Sequence, residues 1–283
     1  IKGSIKIHGS KNAALPIIVA SLLSNKNLTL TNVPQVDDIN NMIKLLKGYG
    51  SILKFKKNSL IINNKNLKNI SADYDIVRKM RPSILILGPL LSRFGYSKIP
   101  LPGGCAIGTR PIDIHLEGLI KLGANFNIQN GFVIGSVKSR LKGNKIKLPF
   151  PSVGATENIL MASVLAKGET LIENAAREPE IEDLGHCLKK MGAKIQGLGT
   201  KRIFIDGVEN LNETRHEIIS DRIVAGSYII MAIMLNSKFE IKNVNTDHLS
   251  SLIQILIKMG SNLEIFEKSI KIYPSKKLKS AKV

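Results

Sequence analysis

The chain has 283 residues, 43% apolar and 22% charged, a balance that fits a soluble globular protein able to bury one large or two ordinary cores. Its longest apolar run, Ile223 to Leu235, contains Gly226 and Ser227 and falls short of the roughly 20 residues a membrane helix needs. The formal charge of +19 comes from lysines scattered beside Asn and Ile, with aromatics at 5%, so the pattern reads as solvated faces rather than a nucleic-acid surface. A positive field of this kind also favours small anionic substrates. Two cysteines, Cys105 and Cys187, sit in different contexts and imply reduced thiols, hence a cytoplasmic setting, rather than a disulfide framework. No charged-then-apolar leader pattern opens these residues.

Taken in order, the chain repeats itself. Apolar helices are predicted at residues 12–24, 81–92, 155–167 and 222–236. Each is followed by a strand-like stretch and then by an amphipathic helix: Val36 to Leu46, Ile114 to Leu122, Ile181 to Met191 and Leu249 to Met259. Asp37, Asp113, Glu182 and Asp247 lie near the starts of these second helices, where they suit the helix dipole and can cap free N–H groups. Each second helix stops at a glycine (Gly50, Gly123, Gly192 and Gly260), at intervals of 73, 69 and 68 residues. Two short strands joined by a turn come next, as in Ala193 to Gln196 with Arg202 to Ile205. The repeating unit is β-α-β-α-β-β, about 70 residues long, giving an α/β (α+β) fold.

One stretch stands apart: Leu101-Pro-Gly-Gly-Cys105-Ala-Ile-Gly-Thr-Arg110-Pro-Ile-Asp113-Ile-His115. Gly103, Gly104 and Gly108 with Pro102 and Pro111 preclude a helix or a central strand and predict an ordered, movable loop. A thiol close to an arginine has a lowered pKa and raised reactivity. Cys187 falls instead on the apolar face of a helix and is expected in the core. His8, His115, His186, His216 and His248 lack metal-ligand spacing, and neither a metal site nor a cofactor is expected.

This block, with Gly9-Ser-Lys-Asn-Ala-Ala-Leu-Pro16, Met80-Arg-Pro-Ser83, Ser152-Val-Gly-Ala-Thr-Glu-Asn158 and Glu173-Asn-Ala-Ala-Arg-Glu-Pro-Glu180, resembles the UDP-N-acetylglucosamine enolpyruvyl transferases. The resemblance implies an inside-out α/β barrel, or prism, of three units per domain. Residues 11–219 would form the catalytic domain, and residues 1–10 with 220–283 part of a second. It also implies two further units, bearing an aspartate proposed as general base and arginines for phosphoenolpyruvate, so the chain reads as a fragment.

The implied reaction moves the enolpyruvyl group of phosphoenolpyruvate to the 3-hydroxyl of UDP-N-acetylglucosamine with release of phosphate, opening peptidoglycan synthesis. By the same resemblance Cys105 is the proton donor, the site of a phosphoenolpyruvate adduct and the target of fosfomycin. Lys11, Asn12 and Arg110 would hold phosphoenolpyruvate; Asn12, Arg81, Arg110, Pro111, Ile112, Asp113, Ile114, Ser152, Val153 and Gly154 would hold the nucleotide sugar. On their own residues, Ser10-Lys11-Asn12 also reads as a helix cap, Asp113 as an N-cap, and Glu178, Pro179 and Glu180 as structural support. A 5-enolpyruvylshikimate-3-phosphate synthase or a non-catalytic sugar-nucleotide-binding remnant are the competing readings.

Overall fold

In a computed structural model, residues 2–67, 77, 80–101 and 112–281 are described. The chain forms two compact units: residues 11–218, and residues 1–10 together with 219–283.

In the larger unit the apolar runs become helices buried on nearly every side, which is what a run without a polar face requires. They are α1 (Lys11–Ala20), α3 (Leu87–Phe94, led by a 3-10 turn, Arg81–Ile86) and α5 (Val153–Ser163). The amphipathic helices α2 (Asp37–Gly48), α4 (Asp113–Lys121) and α6 (Pro179–Lys190) accompany them. Strands β2 (Asn27–Thr31), β3 (Ile52–Lys56) and β4 (Ser59–Asn63) form one antiparallel set. A second set comprises β5 (Tyr96–Pro100), β6 (Asn125–Gln129) and β7 (Phe132–Ser136). The third comprises β9 (Glu169–Glu173), β10 (Lys194–Gln196) and β11 (Arg202–Asp206). Strand β8 (Lys145–Lys147) joins the third set parallel to β9, and β12 (Thr214–Glu217) joins the first parallel to β2.

The smaller unit holds β1 (Lys2–Lys6), α7 (Arg222–Met234), β13 (Lys238–Lys242), α8 (Ser250–Lys258), β14 (Asn262–Phe266) and β15 (Ser269–Tyr273), with β1 parallel to β13. The leading strand of each crossover is therefore exchanged: β1 precedes α1 in sequence but pairs beside the strand that follows α7, while β12 does the reverse.

Two local devices recur. Gly50, Gly123, Gly192 and Gly260 all have φ between 91° and 104°, the left-handed conformation that ends the second helix of each repeat. After each, the next N–H returns to a carbonyl five residues back, as Ser51 N to Leu46 O and Ala193 N to Leu188 O, closing a Schellman cap. Asn32, Asn174 and Asn243, also left-handed, donate from their amides to Ile218 O, Leu148 O and Ile7 O, tying the strand before each to its parallel partner.

The expected capping by acidic residues is corrected. Val36, Ile112 and Glu178 occupy the cap positions of α2, α4 and α6, and none accepts an N–H through its side chain. Asp37, Asp113 and Glu182 instead lie inside the first turn and act through the dipole. Side-chain caps occur on two of the apolar helices: Ser152 for α5 and Asp221 for α7. Pro16 is the sixth residue of α1, beyond its first turn, and so supplies no N–H to the carbonyl of Asn12.

Helices α3 and α5 run side by side in one direction. The N–H of Gly88 reaches Asn158 Oδ1 at 2.8 Å, and one turn on Ser92 Oγ reaches the carbonyl of Ala162 at 3.1 Å. This approach depends on a missing side chain: a Cβ at Gly88 would lie 2.5 Å from both the backbone oxygen and Oδ1 of Asn158. Gly88→Ala is expected to destabilise the protein by about 1–3 kcal/mol or more, measured as a lower midpoint of urea unfolding; an unchanged midpoint would show that the two helices separate at little cost.

Candidate active site

The starts of three helices carry the predicted substrate residues. Arg81 opens the 3-10 turn before α3, Asp113 and Ile114 open α4 just after Ile112, and Ser152 caps α5 ahead of Val153 and Gly154. An α-helix leaves its first N–H groups without intrahelical acceptors and carries partial positive charge at that end, so each start favours an anion.

The structure brings these segments together around His115, a buried residue of α4. A Cβ at Gly154 would lie 3.0 Å from His115 Cε1 and 3.3 Å from Nε2, so the imidazole edge rests against the first turn of α5. Asn158 Nδ2 lies 3.2 Å from His115 Nδ1 and donates to Ile84 O at 3.0 Å, which links both helices to the turn that begins at Arg81. Burial, aided by the positive charge of Arg81, pushes the His115 pKa down to about 4. The imidazole is therefore neutral at physiological pH.

Lys11 and Asn12 have exposed side chains at the start of α1, and Lys11 Nζ forms a 2.6 Å ion pair with Asp38 Oδ2 in the first turn of α2. Helix α1 packs against the 3-10 turn led by Arg81. Cys105, Arg110 and Pro111 lie outside the described residues. Cys187 is fully buried, and burial pushes its thiol up to about 12, consistent with a packing role.

A carboxyl group unassigned from sequence completes this end of α5. Glu157 is buried and its pKa is raised well above the ordinary value, first by burial and then by Glu180 and Glu178. Thr156 holds the arrangement: its hydroxyl donates to Ser152 O at 2.7 Å and accepts from Ala176 N at 3.1 Å, drawing the Glu178-Pro179-Glu180 segment toward the start of α5. The available signal was three polar residues in succession, Thr156, Glu157 and Asn158, inside a helix otherwise apolar on all sides.

Among the described residues, no group of three His, Cys, Asp or Glu could hold a metal ion, and no helix is long and apolar enough to cross a membrane.

A fold built on a β-α-β-α-β-β repeat is the class that the geometry defines, and comparison with known proteins places the chain in a family. The family model described as EPSP synthase (3-phosphoshikimate 1-carboxyvinyltransferase) matches residues 1–283, and the chain belongs to that family. In solved structures the fold matches the enolpyruvyl transferase NikO from Streptomyces tendae (TM-score 0.88, 16% identity, 98% of this chain and 66% of that one). It also matches EPSP synthase from Acinetobacter baumannii (TM-score 0.76, 20% identity, 99% and 66%).

Within the family, the chain is 47% identical over 283 residues to UDP-N-acetylglucosamine 1-carboxyvinyltransferase of Pelagibacter ubique, covering 100% of this chain and 68% of that one. It is 49% identical over 263 residues to UDP-N-acetylglucosamine 1-carboxyvinyltransferase 2 of Carboxydothermus hydrogenoformans, covering 93% and 62%. The chain thus spans about two thirds of the length of these relatives.

The raised pKa of Glu157 has a definite sign. The unfolded state loses this proton above about pH 4.5 while the folded state keeps it, so the stability linked to this group is whole at low pH and is lost as pH rises. Glu157→Gln, which keeps the shape of the protonated acid, should melt higher than the parent at pH 8, by roughly 2–4 °C for each kcal/mol recovered. The gap should close toward pH 4, a trend that scanning calorimetry at several pH values checks.

Proposed function

We propose that this chain carries the nucleotide-sugar site and the reactive thiol of a UDP-N-acetylglucosamine 1-carboxyvinyltransferase acting in the cytoplasm on small-molecule substrates. The observation that supports this reading most is the convergence of Arg81, the start of α4 and the Ser152-Val153-Gly154 turn on one neutral imidazole. An arginine and two helix starts suit the diphosphate of a sugar nucleotide, and the neutral ring keeps the positive charge on the groups that meet it. The 47–49% identity to transferases of this name lends further support.

In the proposed reaction the sugar 3-hydroxyl gives its proton to a base, the aspartate that the resemblance assigns to the further units, and its oxygen bonds to C2 of phosphoenolpyruvate as the Cys105 thiol protonates the methylene carbon. The resulting tetrahedral adduct then returns a proton from that carbon to the thiolate and expels phosphate, restoring the double bond. Lys11, Asn12 and Arg110 would hold the three-carbon donor, with cations offsetting its phosphate and carboxylate charge. Lys11 would exchange Asp38 for substrate oxygens, since its present partner is an exposed carboxylate whose ion pair is worth little.

The reading also assigns a cover to the apolar face of α7. Ile223, Ile230, Met231, Met234 and Leu235 are exposed there, whereas the corresponding helices α1 and α5 are buried almost throughout. Further repeats of the kind that complete the larger unit would fill that face, in keeping with the greater length of the relatives.

The competing substrate class comes from the family description itself, which names 3-phosphoshikimate. Fluorescence titration with UDP-N-acetylglucosamine against shikimate 3-phosphate separates them, and preference for the latter would overturn the reading. Release of phosphate, assayed with this chain and with a longer form, separates catalysis from binding alone.

Cys105→Ser should abolish the mass increment left by fosfomycin; undiminished labelling would remove Cys105 from the site. Lys11→Ala should weaken phosphoenolpyruvate binding at least about tenfold, the worth of one charge-assisted contact. It should leave UDP-N-acetylglucosamine binding within about threefold, and equal losses in calorimetry would count against the role.

A further inference from the structure

The hydrogen bonds of Asn158 determine where the proton on His115 sits. Asn158 is fully buried at the middle of α5, and its amide is committed on every side. The N–H of Gly88 can only donate, so the atom 2.8 Å away is the amide oxygen. The carbonyl of Ile84 can only accept, so the atom 3.0 Å away is the amide nitrogen. Two backbone groups of unambiguous polarity thus orient the amide without reference to the histidine.

The same nitrogen faces His115 Nδ1 at 3.2 Å, and its second hydrogen needs a lone pair there. The ring proton is then on Nε2, at the edge lying against Gly154. We propose that Asn158 is a positioning residue for the nucleotide-sugar site: it holds His115 in the Nε2–H form and sets the first turn of α5 at a fixed distance from Arg81. The role rests on the reading given under Proposed function. It differs from packing alone because it depends on the direction of a hydrogen bond, not only on the volume of a side chain.

The geometry explains why glycine occupies position 154. Any side chain there would press on the imidazole at 3.0 Å and lever α4 away from α5. It also explains why an amide rather than a carboxylate stands at 158. A carboxylate could accept from Gly88 but would leave Ile84 O without its donor, and it would pull the ring proton to Nδ1.

Nitrogen-15 spectra of the histidine rings in the full chain at pH 7 read the tautomer directly. His115 should show a protonated Nε2 and a bare Nδ1 in the parent, with Nδ1 protonated in Asn158→Asp. Calorimetry with UDP as probe then measures the consequence: Asn158→Asp should weaken binding about tenfold. In a His115→Phe background the same substitution should cost less than in the parent, because only the Ile84 O contact is then left for it to remove. His115→Gln, which retains a donor at the far end of the side chain, should recover part of the loss caused by His115→Phe.

A parent with Nδ1 protonated overturns the proposal, as does an Asn158→Asp loss of equal size in both backgrounds. Should Asn158→Asp fail to fold, the parent spectrum and the contrast between His115→Gln and His115→Phe still decide. Absence of UDP binding by the folded parent would overturn the nucleotide-sugar reading and this role with it. Binding without coupling, or with the other tautomer, overturns the role alone.

Discussion

Three helices buried on all sides must discharge the carbonyls at their ends, and the larger unit is arranged around that necessity. Helices α3 and α5 run in one direction and finish side by side, and the end of α1 meets them there. Arg93 donates to Leu22 O, Ser24 O and Asn64 O, and Arg140 donates to Leu165 O, Ala166 O and Val208 O. Two guanidinium groups thus satisfy six carbonyls that would otherwise be left at helix and strand ends, where the partial charge is negative. A pocket of about 750 Å³ opens at this end, but both arginines that line it are already committed to the backbone. With that end neutralised, the opposite one is left with N–H groups and positive partial charge. The residues proposed to hold the nucleotide sugar gather at that opposite end, where α4 and α5 begin.

The same logic governs the polar residues within α5. A helix with no solvent face can carry Thr156, Glu157 and Asn158 only if each is bonded or neutral. Thr156 and Asn158 are bonded, and Glu157 is pushed toward its neutral form by burial and by two neighbouring carboxylates. His115 is neutral for the converse reason, a cation being disfavoured by burial beside Arg81. Their pH dependences have opposite sign: His115 favours the folded state above its unfolded pKa and loses that contribution as pH falls toward about 4. Glu157 instead loses its contribution as pH rises. With both groups pushed toward their neutral forms, the charge beside them is carried by Arg81 and the helix ends.

How much of this was legible in the residues depended on range. The predicted first helices at 12–24, 155–167 and 222–236 correspond to helices at 11–20, 153–163 and 222–234, and the glycines at 50, 123, 192 and 260 end the second helices in the left-handed conformation. Periodicity and backbone restriction are local, and one chain suffices to read them. The 81–92 segment reads as a single helix, yet it begins as a 3-10 turn whose Ile84 carbonyl accepts from Asn158, a tertiary contact 74 residues away. Arg93, Arg140, Asn32, Asn174 and Asn243 carried no visible role in a sequence rich in lysine and asparagine. Their partners lie between 25 and 236 residues away, or on strands whose pairing no local pattern reveals.

Helix α7 shows what the repeat demands of its neighbours. It is as apolar as α1 and has a side-chain cap, Asp221 accepting from Ile223 N and Val224 N. Ala225, Ile229 and Ala232 are buried against β13 and β15, yet Met234 remains 77% exposed. Local sequence is thus sufficient to make the helix but not to bury it. In the larger unit the two sister repeats do the burying: α1 is covered by α2 and α6, and α5 by α3, α4 and α6. A repeat of this kind cannot hide its central helix alone, so the unit of stability is a group of repeats. The placement of β1 adds a second constraint: the smaller unit is built from two separate segments, β1 pairing beside β13, whereas β12 pairs beside β2 within the continuous larger unit.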